Sequence, residues 1–226
     1  IDGMPFQTNS RLNRTAVIVQ ARYGSTRLPG KVLKTLGKTT VLQHVFRRCK
    51  MIPSADVIIC ATTTGTREDA IAEIAEEEGI DVFRGSEADV LSRYHGAARA
   101  AGADIIMRVT SDCPLIDPRI CEDVLSLQRS EAADYSCNNM PPSWPHGLDC
   151  ESFTMAALDA AHRQADNAYD REHVTPWIRR AEHLNQVNVA RRGRSKHELR
   201  WTLDYPEDFE FFQTLFERFP NCVNVP

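Results

Sequence analysis

The chain has 226 residues, of which 42% are hydrophobic and 26% charged, and a formal net charge of −4. That is enough for one domain with a sizeable core, and the balance is ordinary for a soluble globular fold. A net negative chain has no global field that would favour nucleic acid, so an anion site must be a local concentration of cations. Apolar runs stop after four or five residues, which excludes a helix that spans a membrane.

The seven cysteines (Cys49, Cys60, Cys113, Cys121, Cys137, Cys150 and Cys222) are odd in number and include no C-x-x-C pair. Several fall inside apolar patterns, where cysteine behaves as a small hydrophobe, so a reducing cytoplasmic compartment is expected and zinc is not. Residues 1–13 read as a polar N-terminal tail without the apolar core of a secretory leader. Met4 would be the native start and Ile1-Asp2-Gly3 a cloning remnant, leaving 14–226 as the folded domain.

Ala16-Val17-Ile18-Val19 is a β-branched apolar run that predicts a strand buried on both faces of a parallel sheet. It empties into a loop holding Arg22, Arg27 and Lys31, with Gly24 and Gly30 for close backbone approach, Pro29 for stiffness, and the hydroxyls of Ser25 and Thr26. Such a loop at the carboxyl end of a buried strand suits a polyphosphate. It is not the kinase-type phosphate loop, because five residues instead of four separate the glycines and Val32 stands where a Ser or Thr would bind magnesium. Metal ligands must therefore come from elsewhere in the chain. The bland alternative is a cationic surface turn.

Thr40-x-x-Gln43 predicts a capping box for a helix that turns Val41, Leu42, Val45, Phe46 and Cys49 inward and ends before Pro53. Val57–Ala61 is a second buried strand, running into Thr62-Thr63-Thr64-Gly65. Thr66-x-x-Asp69 predicts another capping box, for a helix closed by Gly79. A strand from Ile80 to Phe83 leads to Arg84-Gly85-Ser86, and Ser86-x-x-Asp89 would cap a helix with Val90, Leu91, Tyr94, Ala97, Ala98 and Ala101 inward, stopped by Gly102. A fourth strand covers Asp104 to Val109. Four β–loop–α units predict a mostly parallel, doubly wound α/β sheet with right-handed crossovers. That topology gathers 22–31, 62–65, 84–86 and 110–114 at one edge.

The second half is less regular. A helix should run from its N-cap Asp117 to about Arg129, followed by a strand near Tyr135 and a loop, 138–146, with three prolines. Leu148 to Phe153 alternates like a half-buried strand. Helices follow at 154–165 and about 170–180, where Pro176 either kinks the second or restarts it. Strands near 186–190 and 199–203 and a helix from Pro206 to Arg218 complete the chain. The apolar, proline-rich 138–153 segment could form a homodimer contact.

Asp112 and Asp204 each end a predicted strand. Magnesium takes one or two carboxylates plus substrate phosphates, so two aspartates meeting opposite the cationic loop would supply what Val32 cannot. Each has a local alternative: Asp204 at the entry of the helix that Pro206 begins, Asp112 satisfying turn amides. There is no D-x-D triplet of the kind many nucleotide-sugar transferases use. The lone histidines show no ligand spacing, His146 could touch a substrate or simply face water, and Arg191-Arg192-Gly193-Arg194 reads as a solvated turn.

The run Gln20-Ala21-Arg22-Tyr23-Gly24-Ser25-Thr26-Arg27-Leu28-Pro29-Gly30-Lys31 resembles the signature of sugar-acid cytidylyltransferases of the 3-deoxy-manno-octulosonate and acylneuraminate types. Further matching segments are Phe83-Arg84-Gly85-Ser86, Arg108 to Ile116, Gly147 to Glu151, Arg171 to Pro176, and Trp201-Thr202-Leu203-Asp204. Together they look most like the spore coat polysaccharide biosynthesis protein F branch, over about 15 to 216. Two residues depart from the pattern: Tyr23 replaces a Met, and Ser111 replaces a Gly, which leaves less backbone freedom beside Asp112.

The resemblance implies a single-domain glycosyltransferase-A-like nucleotidyltransferase fold, CTP as donor and magnesium (Mg2+) as cofactor. It implies triphosphate contacts from Arg22, Ser25, Arg27 and Lys31, and places Thr62, Arg84 and Ser86 near base and ribose. Asp112 and Asp204 would hold the metal, and Arg22, Lys31, Asp112 and Asp204 would form the catalytic group. An acceptor end would be lined by Asp149, Glu151, Arg171 and His173, with Arg171 either pairing a sugar-acid carboxylate or belonging to a helical face of ion pairs. The reaction implied is transfer of CMP from CTP to a 2-keto-3-deoxy sugar acid with release of pyrophosphate, for surface polysaccharide synthesis. Two competing readings are a glycosyltransferase that consumes a nucleotide sugar and a non-catalytic nucleotide-binding relative.

Overall fold

The structure, a computed structural model, describes residues 13–220. The expectations for the first twelve residues and for Cys222 lie outside the described residues. β1 (Thr15–Gln20) is followed by the cationic loop, a 3-10 turn (Lys31–Leu33), a small hairpin of β2 (Thr35–Leu36) and β3 (Thr39–Thr40), and α1 (Val41–Cys49). The capping box of Thr40 and Gln43 forms as the spacing predicts. Then come β4 (Val57–Thr63), a 3-10 turn (Thr66–Glu68), α2 (Asp69–Glu77), β5 (Asp81–Gly85), α3 (Val90–Ala100), β6 (Ile105–Thr110) and α4 (Pro118–Ser130). The remainder holds β7 (Tyr135–Cys137), β8 (Glu151–Thr154), α5 (Met155–Gln164), α6 (Ala168–His173), α7 (Pro176–Arg180), β9 (Gln186–Asn188) and α8 (Pro206–Arg218).

One seven-stranded sheet has the order β5-β4-β1-β6-β8-β7-β9. β5, β4, β1 and β6 are mutually parallel, whereas β8 enters antiparallel between β6 and β7. The α/β architecture, mostly parallel in its first half and mixed in its second, is therefore as expected. Alternation along the strands divides the core. Val17, Val19, Met107 and Val109 pack beneath α1, α2 and α4, and Ala16, Ile18, Ala61 and Ile106 beneath α3 and α5. A third cluster joins Leu28, Leu36, Val41 and Leu203 to Phe212 and Phe216 of α8. The chain leaves β1 towards β4 on one side and returns to β6 on the other, so a crevice opens at the carboxyl end of β1.

Several local expectations give way to tertiary contacts. The Thr66 capping box does not form: Thr66 begins a 3-10 turn and α2 starts at Asp69 without a side-chain cap. The turn buries Glu68, whose carboxylate accepts from the Tyr23 amide at 2.9 Å and the Thr62 hydroxyl at 3.3 Å. Ser86 accepts from the Asp89 amide, and Asp89 is the N-cap of α3. Of the two alternatives for the 170–180 helix, the restart at Pro176 holds: the segment is two helices, separated at Val174 (φ +71°). Residues 199–203 join no sheet; one isolated β-bridge pairs Arg200 with His146. The half-buried strand expected at 148–153 is shorter and fully interior, with Glu151, Ser152 and Phe153 all buried.

Candidate active site

The loop after β1 is shaped by its own backbone. Gly30 has φ +64°, donates its amide to the Tyr23 carbonyl at 3.2 Å, and lies against the Tyr23 ring, where a Cβ would approach to 3.2 Å. The Ser25 hydroxyl accepts from the Leu28 amide at 3.3 Å. Arg22 and Arg27 are exposed, and Arg22 has no hydrogen-bond or ion-pair partner among the described residues.

Lys31 begins the 3-10 turn and reaches across the crevice. Its Nζ donates to Asp112 Oδ2, Asp204 Oδ1 and the Leu203 carbonyl, each at 2.9 Å. The two acidic segments are also joined directly, the Leu203 amide donating to the Asp112 carbonyl at 2.8 Å. Asp204 is further held by Arg27 at 3.0 Å and Arg200 at 3.1 Å. Asp208 at the start of α8 accepts from the Asp204 and Tyr205 amides at 2.8 and 2.9 Å, which fixes the turn that presents Asp204. Burial opposes the charged form of Lys31, but the two carboxylates outweigh it and hold its pKa above the usual lysine value. For Asp204 burial would raise the pKa; the hydrogen bond and charge of Lys31, with Arg200 and Arg27, bring it down to about 2.

A cavity of about 280 Å³ opens between this cluster and the α3–α6 side. Arg22, Ser25, Arg27, Lys31, Asp112 and Asp204 line one wall; Arg93, Arg108, Glu172 and His173 line the other. The remaining expected residues stand outside it. Thr62 is buried against Glu68, Arg84 pairs with Asp69 at 2.8 Å, and Ser86 serves the turn into α3. Asp149 accepts from His146 Nδ1 at 2.6 Å and the Gly147 amide at 3.0 Å. Arg171 gives Nε and Nη2 to the Ala165 and His162 carbonyls at the end of α5, at 3.0 and 2.9 Å. Glu151 is buried behind the wall, bound to Arg108 at 2.7 Å, Arg179 at 2.6 Å and the Tyr135 hydroxyl.

Sequence reasoning passed over Arg93 and Glu68, and quoted Gln20, Arg108 and Glu172 only within motifs. A signal existed for two of them. Arg108 interrupts an otherwise apolar strand, and Arg93 lies on the buried face of α3 between Leu91 and Tyr94.

The cytidylyltransferase family's sequence model matches residues 16–219. The chain belongs to that family. This cytidylyltransferase is similar to an uncharacterised protein, MJ1063, of Methanocaldococcus jannaschii, 36% identical over 92% of this chain and 85% of the relative. It is 32% identical to the spore coat polysaccharide biosynthesis protein SpsF of Bacillus subtilis, over 92% and 88%. A 3-deoxy-manno-octulosonate cytidylyltransferase of Anaeromyxobacter sp. is 34% identical over 50% of this chain and 47% of its own. Among solved structures, a cytidylyltransferase of Leptospira borgpetersenii superposes with a TM-score of 0.84 at 29% identity, covering 95% of this chain and 98% of the other. The cytidylyltransferase is thus an enzyme of the CTP-dependent nucleotidyltransferase class.

The donor set suits a divalent cation. Among the described residues no group of three His, Cys, Asp or Glu side chains converges. Two carboxylates nevertheless meet on one cation, the Lys31 ammonium, which marks a position where positive charge is held beside the loop. A hard cation that completes its shell with phosphate oxygens and water needs no third protein ligand. No helix among the described residues is long and apolar enough to cross a membrane.

Proposed function

We propose that this cytidylyltransferase transfers CMP from CTP to a 2-keto-3-deoxy sugar acid, releasing pyrophosphate, with Mg2+ as cofactor, as a step towards a surface polysaccharide. One observation carries the reading: Lys31 Nζ sits 2.9 Å from both Asp112 and Asp204, at the mouth of a loop rich in cations and glycine. The name of the partial relative, a 3-deoxy-manno-octulosonate cytidylyltransferase, supports a sugar acid as acceptor, and that of SpsF supports the polysaccharide context.

In this reading the acceptor's anomeric hydroxyl attacks the α-phosphorus in line, a P–O bond to it forms, and the bond to the β-phosphate oxygen breaks. Arg22, Arg27 and Lys31 balance the charge that grows on the departing pyrophosphate, and the Ser25 turn fixes the loop around it. Asp112 and Asp204 would hold Mg2+, which when bound polarises the phosphoryl oxygens and lowers the pKa of the attacking hydroxyl. His173, which lines the cavity, would contact the acceptor in this reading.

A pyrophosphate-release assay crossing the four ribonucleoside triphosphates with several 2-keto-3-deoxy sugar acids tests this. The expected result is release only with CTP and a sugar acid, abolished by EDTA and restored by Mg2+. Hydrolysis of a nucleotide sugar without release from CTP would overturn the reading.

A further inference from the structure

The far wall of the cavity contains an arrangement that triphosphate binding does not account for. Gln20 and Arg108 share one face of the sheet: Arg108 lies beside Ile18 of β1, and Gln20 beside Thr110 of β6, two residues further along. Arg93 arrives on the same face from α3, whose next residue, Tyr94, donates its hydroxyl to the Ile18 carbonyl at 3.2 Å. All three side chains line the cavity.

Each presents an unused polar edge. Gln20 Oε1, Arg93 Nε and Arg108 Nε are buried without a hydrogen-bond partner. In both arginines only Nη1 is engaged among the described residues, with the Ser86 carbonyl for Arg93 and with Glu151 for Arg108. The Nε–Nη2 edge, the side-on fork that grips a carboxylate, has no partner in either among the described residues. Elsewhere the protein uses that edge: Arg47 closes it on Glu78 at 3.0 and 2.7 Å, and Arg179 on Glu151 at 3.0 and 2.6 Å.

The charge count agrees. Arg93 is 2% exposed and forms no ion pair among the described residues, while Arg108 and Arg179 share the single carboxylate of Glu151. A buried cation without a counter-ion is costly, and a donor left unpaired adds its own desolvation cost. Both costs vanish if an anion enters. Gln20 adds a second requirement, because its unpartnered carbonyl oxygen needs a donor and phosphate oxygens offer none; comparing the KM for the acceptor with the KM for CTP separates a sugar-acid hydroxyl from one of the CTP ribose. A sugar acid carries its carboxylate next to hydroxyls.

We infer that Arg93 and Arg108 form the subsite for the acceptor's carboxylate, with Gln20 accepting from a neighbouring hydroxyl and Glu151 acting as the positioning residue behind Arg108. Arg171 cannot take this part, because its fork is closed on two helix carbonyls. The inference rests on the proposed sugar-acid reaction and adds the residues that would select for the acid.

The test measures pyrophosphate release with 3-deoxy-manno-octulosonate and its carboxamide as probes, for wild type, Arg93→Lys, Arg108→Lys and Arg108→Met. Lysine keeps the charge and loses the fork, so the Lys variants remain folded, which thermal unfolding checks. Each Lys variant is expected to raise the acceptor KM about tenfold or more with the KM for CTP unchanged. The carboxamide should lose as much in wild type, and no more in Arg108→Lys. An unchanged acceptor KM, or a KM for CTP that rises in step with it, would overturn the subsite. Wild type inactive with every sugar acid is a separate result, and it removes the reaction itself together with the subsite.

Discussion

Replacing Glu151 by Gln isolates the one buried carboxylate on which two arginines depend. The side chain is about 3% exposed and binds Arg108 at 2.7 Å and Arg179 at 2.6 Å. Burial alone would raise its pKa; Arg108 and then Arg179 reverse that and bring it from 4.5 to about 2. At 1.36 kcal/mol per unit, the charged form contributes roughly 3 kcal/mol to stability. Removing one member of a buried pair independently costs about 3–5 kcal/mol, so the two routes agree. For a chain of this size that is a fall of about 6–12 °C in Tm. The sign follows from linkage: a carboxyl depressed in the folded state contributes fully above its unfolded pKa and loses its contribution as pH falls towards 2. Urea unfolding of wild type and Glu151→Gln, followed by tryptophan fluorescence between pH 7 and pH 2.5, should therefore show a gap that is widest at neutral pH and closes below about pH 4.5. A variant as stable as wild type at pH 7, or a gap indifferent to pH, would refute the reasoning.

Asp112→Asn and Lys31→Ala should each lower kcat on the order of 100-fold while circular dichroism shows the fold intact; near-normal turnover would remove these residues from the catalytic group. Gly147 has φ +108°, and a Cβ there would meet the Trp201 carbonyl oxygen at 2.3 Å. Gly147→Ala should thus cost about 1–3 kcal/mol in thermal unfolding. It should also lower kcat, because the displaced segment leads to Asp204; full activity with normal Tm would contradict the claimed contact.

The parallel half was legible before any coordinates because its signals are local. β-branched runs mark β1, β4 and β6, and Thr40, Asp117 and Pro206 announce helices that form where they stand. The loop from Arg22 to Lys31 and the two aspartates were likewise visible, as residue types at strand ends. Their convergence on one ammonium was not, since 81 and 173 residues separate Lys31 from its partners and no periodicity reports such a distance.

The second half shows the limit from the other side. Glu151 reads as a residue of a half-buried strand that lines the acceptor end, yet β8 lies between β6 and β7, and that placement makes the carboxylate an internal anchor. Arg171 reads as a carboxylate ligand, yet the adjoining end of α5 offers it carbonyls first. By itself the chain's order of residues determined which segments become strands, helices and the cationic loop, because those depend on neighbours a few positions away. Only the folded arrangement decided which charges are paired and which forks stay open. A side chain's partner is set by the strand or helix packed against it, and that neighbour comes from a distant part of the chain.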